Sequence, residues 1–382
     1  MKTSPSRACG RLLELAIVST IAHSRIASGN SLPSNAASRT RQEPTESTHD
    51  HAIKVDVREV LVPVTVLDSN GQMLLDLPKE KFQIFDNGAE QSIEHFDIGG
   101  QSLAVALVIE TSSHLQSMAP VIRGMGSIFT ETVMALEGRG AVITYDSTVE
   151  VRQAFTADPD AVARKIRKVE FTAPEMRLYD AMSAAVDLLE MEPPNFRRVM
   201  LIVGESRDET SEAKLGVVLR RVQLAGISIY AIGPSSTAAD LRYGSGESVE
   251  VPLPKSLPRT RTKAPPRGAT GESYFDRLTP AIWLLSRGSN EIKNRQLELA
   301  VASTGGVHYS AVRERTIQQA LDKIGGELHA QYVLTYIPDS GNISGFHRIN
   351  VTVARPNSTV RARPVYFVET APATPNAPSP QR

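Results

Sequence analysis

The sequence is short of the residues that several kinds of binding and anchoring require. It contains one cysteine, Cys9, which cannot form an intramolecular disulfide bond or a multi-cysteine metal site. Aromatic residues make up only 5% of the chain, which argues against stacking platforms for single-stranded nucleic acid. No apolar run reaches the roughly 18 residues that a membrane-spanning helix needs.

Charge of either sign is not in excess, and this excludes a further group of partners. The chain has 42 Lys and Arg against 42 Asp and Glu, so its formal net charge is zero. A nucleic-acid-binding protein usually carries a basic excess, and we therefore expect no nucleic-acid partner. With 382 residues, 41% of them hydrophobic, the chain is long enough for about two to three globular domains.

The amino-terminal segment predicts that the protein is exported. Residues 1–28 have the outline of a signal peptide, in which Lys2, Arg7 and Arg11 precede an apolar segment at 12–22. A disordered leader and a misplaced start codon are the alternatives. On the signal-peptide interpretation the protein is secreted or periplasmic, and cleavage removes its lone cysteine.

Changes in composition divide the rest of the chain. Polar residues at 29–51 predict a disordered linker, and alternating β-branched residues at 52–99 predict a small β-rich domain. From 100 to 330 apolar strands alternate with helices, which predicts an α/β fold with a doubly wound, mainly parallel sheet. Residues 331–369 predict further β-strands, arranged as a meander, before a disordered tail at 370–382.

Two segments inside the α/β region have distinctive patterns. From Leu115 to Leu136 apolar residues recur every three or four positions, which predicts one continuous amphipathic helix. About residues 236–277 the pattern breaks into a Pro-rich, basic insertion. We interpret the insertion as a solvated surface loop, with a patch that binds nucleic acid or phosphate as the alternative.

Polar segments follow two of the predicted sheet strands at the point where each strand ends. The segment ETSSH at 110–114 follows the first strand, and GESRD at 204–208 follows the strand that ends at Val203. Open α/β sheets bind ligands at the carboxyl ends of their strands. We therefore expect both segments to contribute to one binding face.

These two segments resemble parts of a von Willebrand factor A domain, and so do RLYDAM at 177–182 and RRVMLIV at 197–203. The chain is most similar to the von Willebrand factor A-related proteins found in acidobacteria, and the similarity spans roughly 52–368. The resemblance implies a three-layer α/β domain that binds or adheres to another protein. It also implies a metal-ion-dependent adhesion site, formed by Asp-x-Ser-x-Ser, a Thr and a further Asp.

When the adhesion-site motif is compared with this chain position by position, only one residue of the chain is identical to the motif. Ser112 matches the first Ser of the motif, Glu110 and Glu205 replace the two Asp residues, and the second alignment could slip to Asp208. His114 replaces the second Ser, and Met176 falls where the Thr is expected. Mg²⁺ prefers hard oxygen ligands in a compact octahedral shell, and a thioether is unsuited to it.

The sequence therefore predicts a degenerate adhesion site without a bound cofactor. The alternative is a site in which Glu110, Ser112 and Glu205 hold Mg²⁺ or another divalent cation. In either case the predicted face for a protein partner comprises six residues, listed in chain order: Glu110, Ser112, Ser113, His114, Met176 and Glu205.

Enzymatic functions have weaker support in the sequence. Ser112 and His114 are a hydroxyl and an imidazole, but residues two apart on a helix do not face each other. We expect Asp146 and Asp180 to cap or orient loops. The leading hypothesis is a non-enzymatic binding module of the envelope or secreted space. A metal-dependent adhesion domain and an unrecognised hydrolase, with its site in the insertion or between domains, are the alternatives.

Overall fold

A computed structural model describes residues 59–135, 137–205, 207–233, 296–311, 314–338 and 345–368. The predicted leader, linker, insertion and tail lie outside the described residues. In the part of the chain that is described, no helix has both the length and the apolar character needed to cross a membrane.

The described residues form strands and short helices in the following order. The strands are β1 Val60–Leu67, β2 Phe82–Asp86, β3 Ala89–Gln91, β4 His95–Ile98, β5 Leu103–Glu110, β6 Arg139–Tyr145, β7 Val149–Thr156, β8 Arg197–Val203, β9 Ser228–Gly233, β10 His308–Ser310, β11 Tyr332–Tyr336, β12 Gly345–Val353, β13 Thr359–Ala362 and β14 Val365–Val368. The helices are α1 Ala119–Gly124, α2 Gly126–Ile128, α3 Pro159–Arg167, α4 Leu178–Glu190, α5 Leu215–Leu224, α6 Gln296–Ser303 and α7 Glu314–Ala330. Two 3₁₀ helices, Lys79–Lys81 and Ser113–Met118, and a π-helical turn, Phe129–Met134, complete the set.

A six-stranded sheet forms the centre of the α/β domain, with the strand order β10-β9-β8-β5-β6-β7. All neighbouring strands are parallel except β7, which runs antiparallel to β6 at one edge. Every residue of β5 is buried, because separate apolar clusters cover the two faces of the sheet. This arrangement confirms the predicted doubly wound, mainly parallel sheet.

The register of the central strands brings three chain segments to one edge. Glu110 at the end of β5 lies opposite Tyr145 at the end of β6. Val203 at the end of β8 lies opposite Ile109 of β5 and Ile232 of β9. The loops that follow these strands therefore start side by side at the carboxyl edge of the sheet.

Strands from both ends of the described chain form two further sheets, with the orders β13-β1-β11-β4 and β14-β12-β2-β3. Val62 and Val64 from the first sheet share one apolar core with Ile84 from the second, which makes the pair a β-sandwich. The predicted meander of the last strands is wrong, because β11 pairs with β1 and β4 whereas β12 pairs with β2 and β14. Strands far apart in sequence supply the pairing that adjacent strands were expected to supply.

The predicted continuous helix from Leu115 to Leu136 is also wrong, although its described apolar stripe from Leu115 to Val133 is buried as expected. The segment is instead a 3₁₀ helix, α1, α2 and a π-helical turn in succession. Pro120 lies in the first turn of α1, where its missing N–H prevents the preceding residues from continuing an α-helix. Ala135 ends the turn with a positive φ of 54°.

The amino-terminal cap of α3 gives a prediction about stability. The Asp158 carboxylate accepts hydrogen bonds from the backbone N–H groups of Asp160 (2.9 Å) and Ala161 (3.1 Å). We expect Asp158→Ala to lower the free energy of unfolding by about 1 kcal/mol, measured by urea denaturation. Asp158→Asn keeps an oxygen acceptor and should retain most of this stability. An equal loss in both variants would show that the capping bonds contribute little.

Candidate functional site

Backbone hydrogen bonds fasten three loops together at the carboxyl edge of the sheet. The N–H of Ser113 donates to the carbonyl of Ala173 (2.7 Å), which joins the loop after β5 to the segment before α4. The N–H of Glu209 donates to the carbonyl of Met176 (3.0 Å), which joins that segment to the loop after β8. The edge is therefore a continuous surface made from distant parts of the sequence.

Glu110 bridges the first and third of these loops from beneath the surface. Its side chain is fully buried, and one carboxyl oxygen accepts a short hydrogen bond from the Ser112 hydroxyl. The other oxygen accepts a hydrogen bond of 2.6 Å from the backbone N–H of Glu205. Both oxygens of the carboxyl group are thus engaged by the protein itself.

Burial controls the ionisation of this carboxyl group. It raises the pKa of Glu110 from 4.5 to about 7, although the hydrogen bonds from Ser112 and from the amide of Glu205 act in the opposite direction. The neighbouring Tyr145 hydroxyl is also fully buried, and burial followed by the charges of Glu110 and Asp208 raises its pKa. A carboxyl group with this pKa is about half protonated near neutral pH.

The six predicted face residues divide into a buried group and a group that reaches the surface. Ser113 and His114 are exposed, and the Glu205 side chain is 22% exposed beside Arg207, with an ion pair of 3.3 Å. Glu110 and Ser112 are buried beneath them. The side chains of Ser113 and His114, and in part that of Glu205, are therefore accessible to solvent.

Met176 lies in the apolar core below the loops. Its side chain is fully buried with Leu178 and Ala181 from the start of α4. Only its backbone carbonyl takes part in the loop contacts, through the N–H groups of Glu209 and Thr210. Met176 is therefore a packing residue that supports the edge.

The aspartates near the edge orient backbone, as expected for Asp146 and Asp180. Asp180 accepts hydrogen bonds from the N–H groups of Glu212 (3.2 Å) and Ala213 (2.8 Å). Asp146 accepts from the N–H of Thr148 at 3.0 Å. Asp208, the alternative motif aspartate, accepts from the N–H of Tyr179 at 3.1 Å and so fastens its loop to α4.

The donor set of this edge does not match what Mg²⁺ requires. Both oxygens of Glu110 already accept hydrogen bonds, and the Ser112 hydroxyl donates to one of them. Met176 offers a buried thioether, which is too soft a ligand for Mg²⁺. Within the described ranges, no group of three or more His, Cys, Asp or Glu residues is placed to hold a metal ion.

Sequence reasoning missed Tyr145 and Gly204, which shape the buried part of the site. A Cβ atom at position 204 would lie 2.6 Å from the Tyr145 hydroxyl and 2.7 Å from the Cβ of Glu110. Only glycine leaves room for the carboxyl group of Glu110 to lie under the third loop. The sequence carries a partial signal, a glycine directly after the buried strand β8; Tyr145 ends β6, on the other side of β5.

The sheet order, the direction of its strands and the loops at its carboxyl edge define a doubly wound, mainly parallel α/β domain, the fold that the resemblance to a von Willebrand factor A domain implies. No family model matches the chain, and no curated protein matches it. Solved structures do match it, and the three described next share 9–11% sequence identity with this chain.

Three of these structures illustrate the similarity. An aerotolerance-related membrane protein from Bacteroides fragilis is 9% identical, with a TM-score of 0.38, and the match covers 59% of this chain and 100% of that one. BatB from Bacteroides thetaiotaomicron is 11% identical, with a TM-score of 0.33, and the match covers 58% of this chain and 98% of that one. Proximal thread matrix protein 1 from the mussel byssus, in a form whose metal-ion-dependent adhesion site holds zinc, is 10% identical with a TM-score of 0.38.

The match to the mussel protein covers 64% of this chain and 49% of that one, so this chain spans about half the length of that relative.

Proposed function

We propose that this protein is a non-enzymatic interaction module that binds another protein through the loops at the carboxyl edge of its central sheet. The observation that carries the proposal is the bridge made by Glu110, which ties the first loop to the third through Ser112 and the amide of Glu205. This bridge holds the exposed residues Ser113 and His114 in place before any partner arrives. A preformed surface binds with a smaller entropic cost than loops that must order on binding.

The proposal includes a degenerate adhesion site that works without a metal ion. Its support is the fit of the residues, because the carboxyl oxygens that would face a cation are engaged by the Ser112 hydroxyl and the amide of Glu205. The raised pKa of Glu110, about 7, also favours a protonated carboxyl group over a cation ligand. An exported location belongs to the same proposal and is supported by the amino-terminal sequence alone.

The environment of the candidate nucleophile supports a non-enzymatic role. The Ser112 hydroxyl is buried and donates to Glu110 rather than to an imidazole. His114 is exposed, and among the described residues no hydrogen bond joins it to Ser112. The alternative hydrolase site in the insertion at 236–277 lies outside the described residues.

A capture experiment with matched charge reversals tests the proposed face. We expect Glu205→Lys to lose at least about tenfold in affinity for a partner cross-linked from envelope extract, because it reverses a charge on the rim of the edge. Glu80→Lys makes the same change on the β-sandwich, at an exposed residue, and should bind as the unchanged protein does.

The same capture in the presence of EDTA separates the two forms of the hypothesis. We expect the partner to be retained, since no metal ion takes part in the proposed contact. Loss of the partner in EDTA would favour the metal-dependent alternative. Equal binding by Glu205→Lys and Glu80→Lys would show that the partner uses another face.

A further inference from the structure

A second cluster of buried charge lies where the β-sandwich meets the α/β domain, away from the carboxyl edge. Arg197 is the first residue of β8, at the opposite end of the sheet from Glu110. The other members come from β9, from the end of α7 and from the sandwich strands. All are at least nine-tenths buried, and they are Thr65, Arg197, Tyr230, Glu327, Gln331, Arg361 and Arg363.

Glu327 on α7 is the centre of this cluster. One carboxyl oxygen accepts hydrogen bonds from the Tyr230 hydroxyl (2.7 Å) and from the side-chain amide of Gln331 (3.0 Å). The other oxygen forms a close ion pair with Arg361 of β13. The last helix of the α/β domain is therefore joined through one carboxylate to a strand of the sandwich.

Gln331 lies between α7 and β11 and continues the connection. Its amide oxygen accepts a hydrogen bond of 2.6 Å from Arg197, and its amide nitrogen donates to the Thr65 hydroxyl of β1 at 2.8 Å. Arg197 also donates to the carbonyl of Leu328 at 2.9 Å. The carboxyl-terminal end of α7 is thus held from both the sheet and the sandwich.

Arg363 enters the α/β domain two residues after Arg361. It donates to the side-chain oxygen of Gln223 on α5 (3.3 Å), and Gln223 donates in turn to the carbonyl of Ser303 at the end of α6 (3.0 Å). Helix carboxyl termini carry partial negative charge, which stabilises a nearby cation. Arg363 is therefore linked through Gln223 to the carboxyl ends of two helices, although burial lowers the pKa of its guanidinium group to about 10.

We infer that Arg361 and Arg363 clamp the β-sandwich to the base of the α/β domain, so that the two open as one cooperative unit. Arg361 lies on β13 and Arg363 directly follows it, so one short segment contributes both guanidinium groups. Buried charges of this kind are costly when a partner is lost, which makes separation of the two parts unfavourable. The inference goes beyond the proposed function: the clamp fixes the orientation of the binding edge relative to the sandwich.

Hydrogen exchange followed by mass spectrometry across a denaturant series tests the clamp. In the unchanged protein, peptides from β1 and β12 should lose protection at the same denaturant concentration as peptides from β5 and β8. In Arg361→Met, the β1 and β12 peptides should exchange at least about tenfold faster while β5 and β8 stay protected. Arg355→Met, at an exposed arginine near the turn before β13, is the matched control and should leave both sets unchanged.

Two results would overturn the inference. One is a sandwich that already opens at a lower denaturant concentration than β5 and β8 in the unchanged protein. The other is an equal loss of protection in all peptides of Arg361→Met, which would mean that Arg361 stabilises the fold without coupling its parts. If Arg361→Met does not fold, the relative stability of the sandwich and of β5 and β8 is judged from the unchanged protein alone. The coupling of the two parts is then tested with Arg361→Lys, which retains the positive charge.

Discussion

Raising the pH from 4.5 to about 7 is expected to destabilise the protein by about 3 kcal/mol through Glu110 alone. Burial raises the pKa of this carboxyl group in the folded state, so the folded protein holds a proton that the unfolded chain releases in this range. The contribution of Glu110 is therefore fully present below pH 4.5 and is lost as the pH rises through about 7.

Urea denaturation at several pH values, with the variant Glu110→Gln, isolates this contribution from those of other carboxyl groups. Glutamine does not titrate, so the variant should lack the part of the pH dependence that Glu110 causes. Glu150→Gln, at an exposed residue of β7, is the control and should follow the unchanged protein. If Glu110→Gln showed the same pH dependence of unfolding as the unchanged protein, the prediction that Glu110 holds a proton in the folded state would be wrong.

Gly204→Ala is expected to cost about 2–3 kcal/mol of stability and to move the third loop away from Glu110. The added Cβ would lie 2.6 Å from the Tyr145 hydroxyl and 2.7 Å from the Cβ of Glu110, and both neighbours are buried. Glu110, Tyr145 or the backbone at position 204 must therefore shift to make room for the added Cβ atom. We therefore expect a weaker contact from the amide of Glu205 and a changed pH dependence of unfolding.

A glycine without neighbours provides the matched control for this substitution. Gly326 lies within α7, and a Cβ there would meet nothing within 4 Å. Gly326→Ala should therefore stabilise the protein by about 0.5–1 kcal/mol, as alanine does in place of glycine in a helix. Equal effects of the two substitutions in thermal and urea unfolding would contradict the steric account of Gly204.

Much of the α/β domain could be predicted because its signals are local. The run RRVMLIV matches β8 residue for residue, and Asp158 followed by Pro159, a capping residue before a proline, is typical of a helix start and begins α3. Asn87 and Gly88 both have positive φ in the turn between β2 and β3, a conformation that an Asn-Gly pair favours. Each of these features depends on residues that are neighbours in sequence.

The β-sandwich could not be predicted because its pairing is not local. Alternating apolar residues indicate a strand and its buried face but do not name the partner strand. Val60 pairs with Tyr336, across the whole α/β domain. Hairpins between successive strands are the natural expectation, but β11 pairs with β1 and β4, and β12 pairs with β2 as well as with β14.

The sequence indicated the position of the candidate site better than its internal structure. Because loops meet at the carboxyl edge of an open α/β sheet, the sequence predicts that Glu110, Ser112 and Glu205 lie close together. It could not show that Glu110 points inward, that its oxygens are engaged, or that Tyr145 lies beside it. Those facts depend on side-chain packing between strands that are distant in sequence.

The bridge also explains why a longer acidic side chain can stand at the first motif position. The carboxyl group of Glu110 reaches the amide of Glu205 directly, at 2.6 Å, and so connects two loops without an ion between them. With a pKa of about 7, this buried carboxyl group is partly protonated at neutral pH, which reduces the charge that burial disfavours.

Calorimetric titration of Mg²⁺, Mn²⁺ and Zn²⁺ into the unchanged protein and into Glu110→Ala tests this account most directly. We expect no saturable heat from any of the three ions with either protein. Saturable binding by the unchanged protein that Glu110→Ala abolishes would contradict it, because Glu110 would then be a metal ligand.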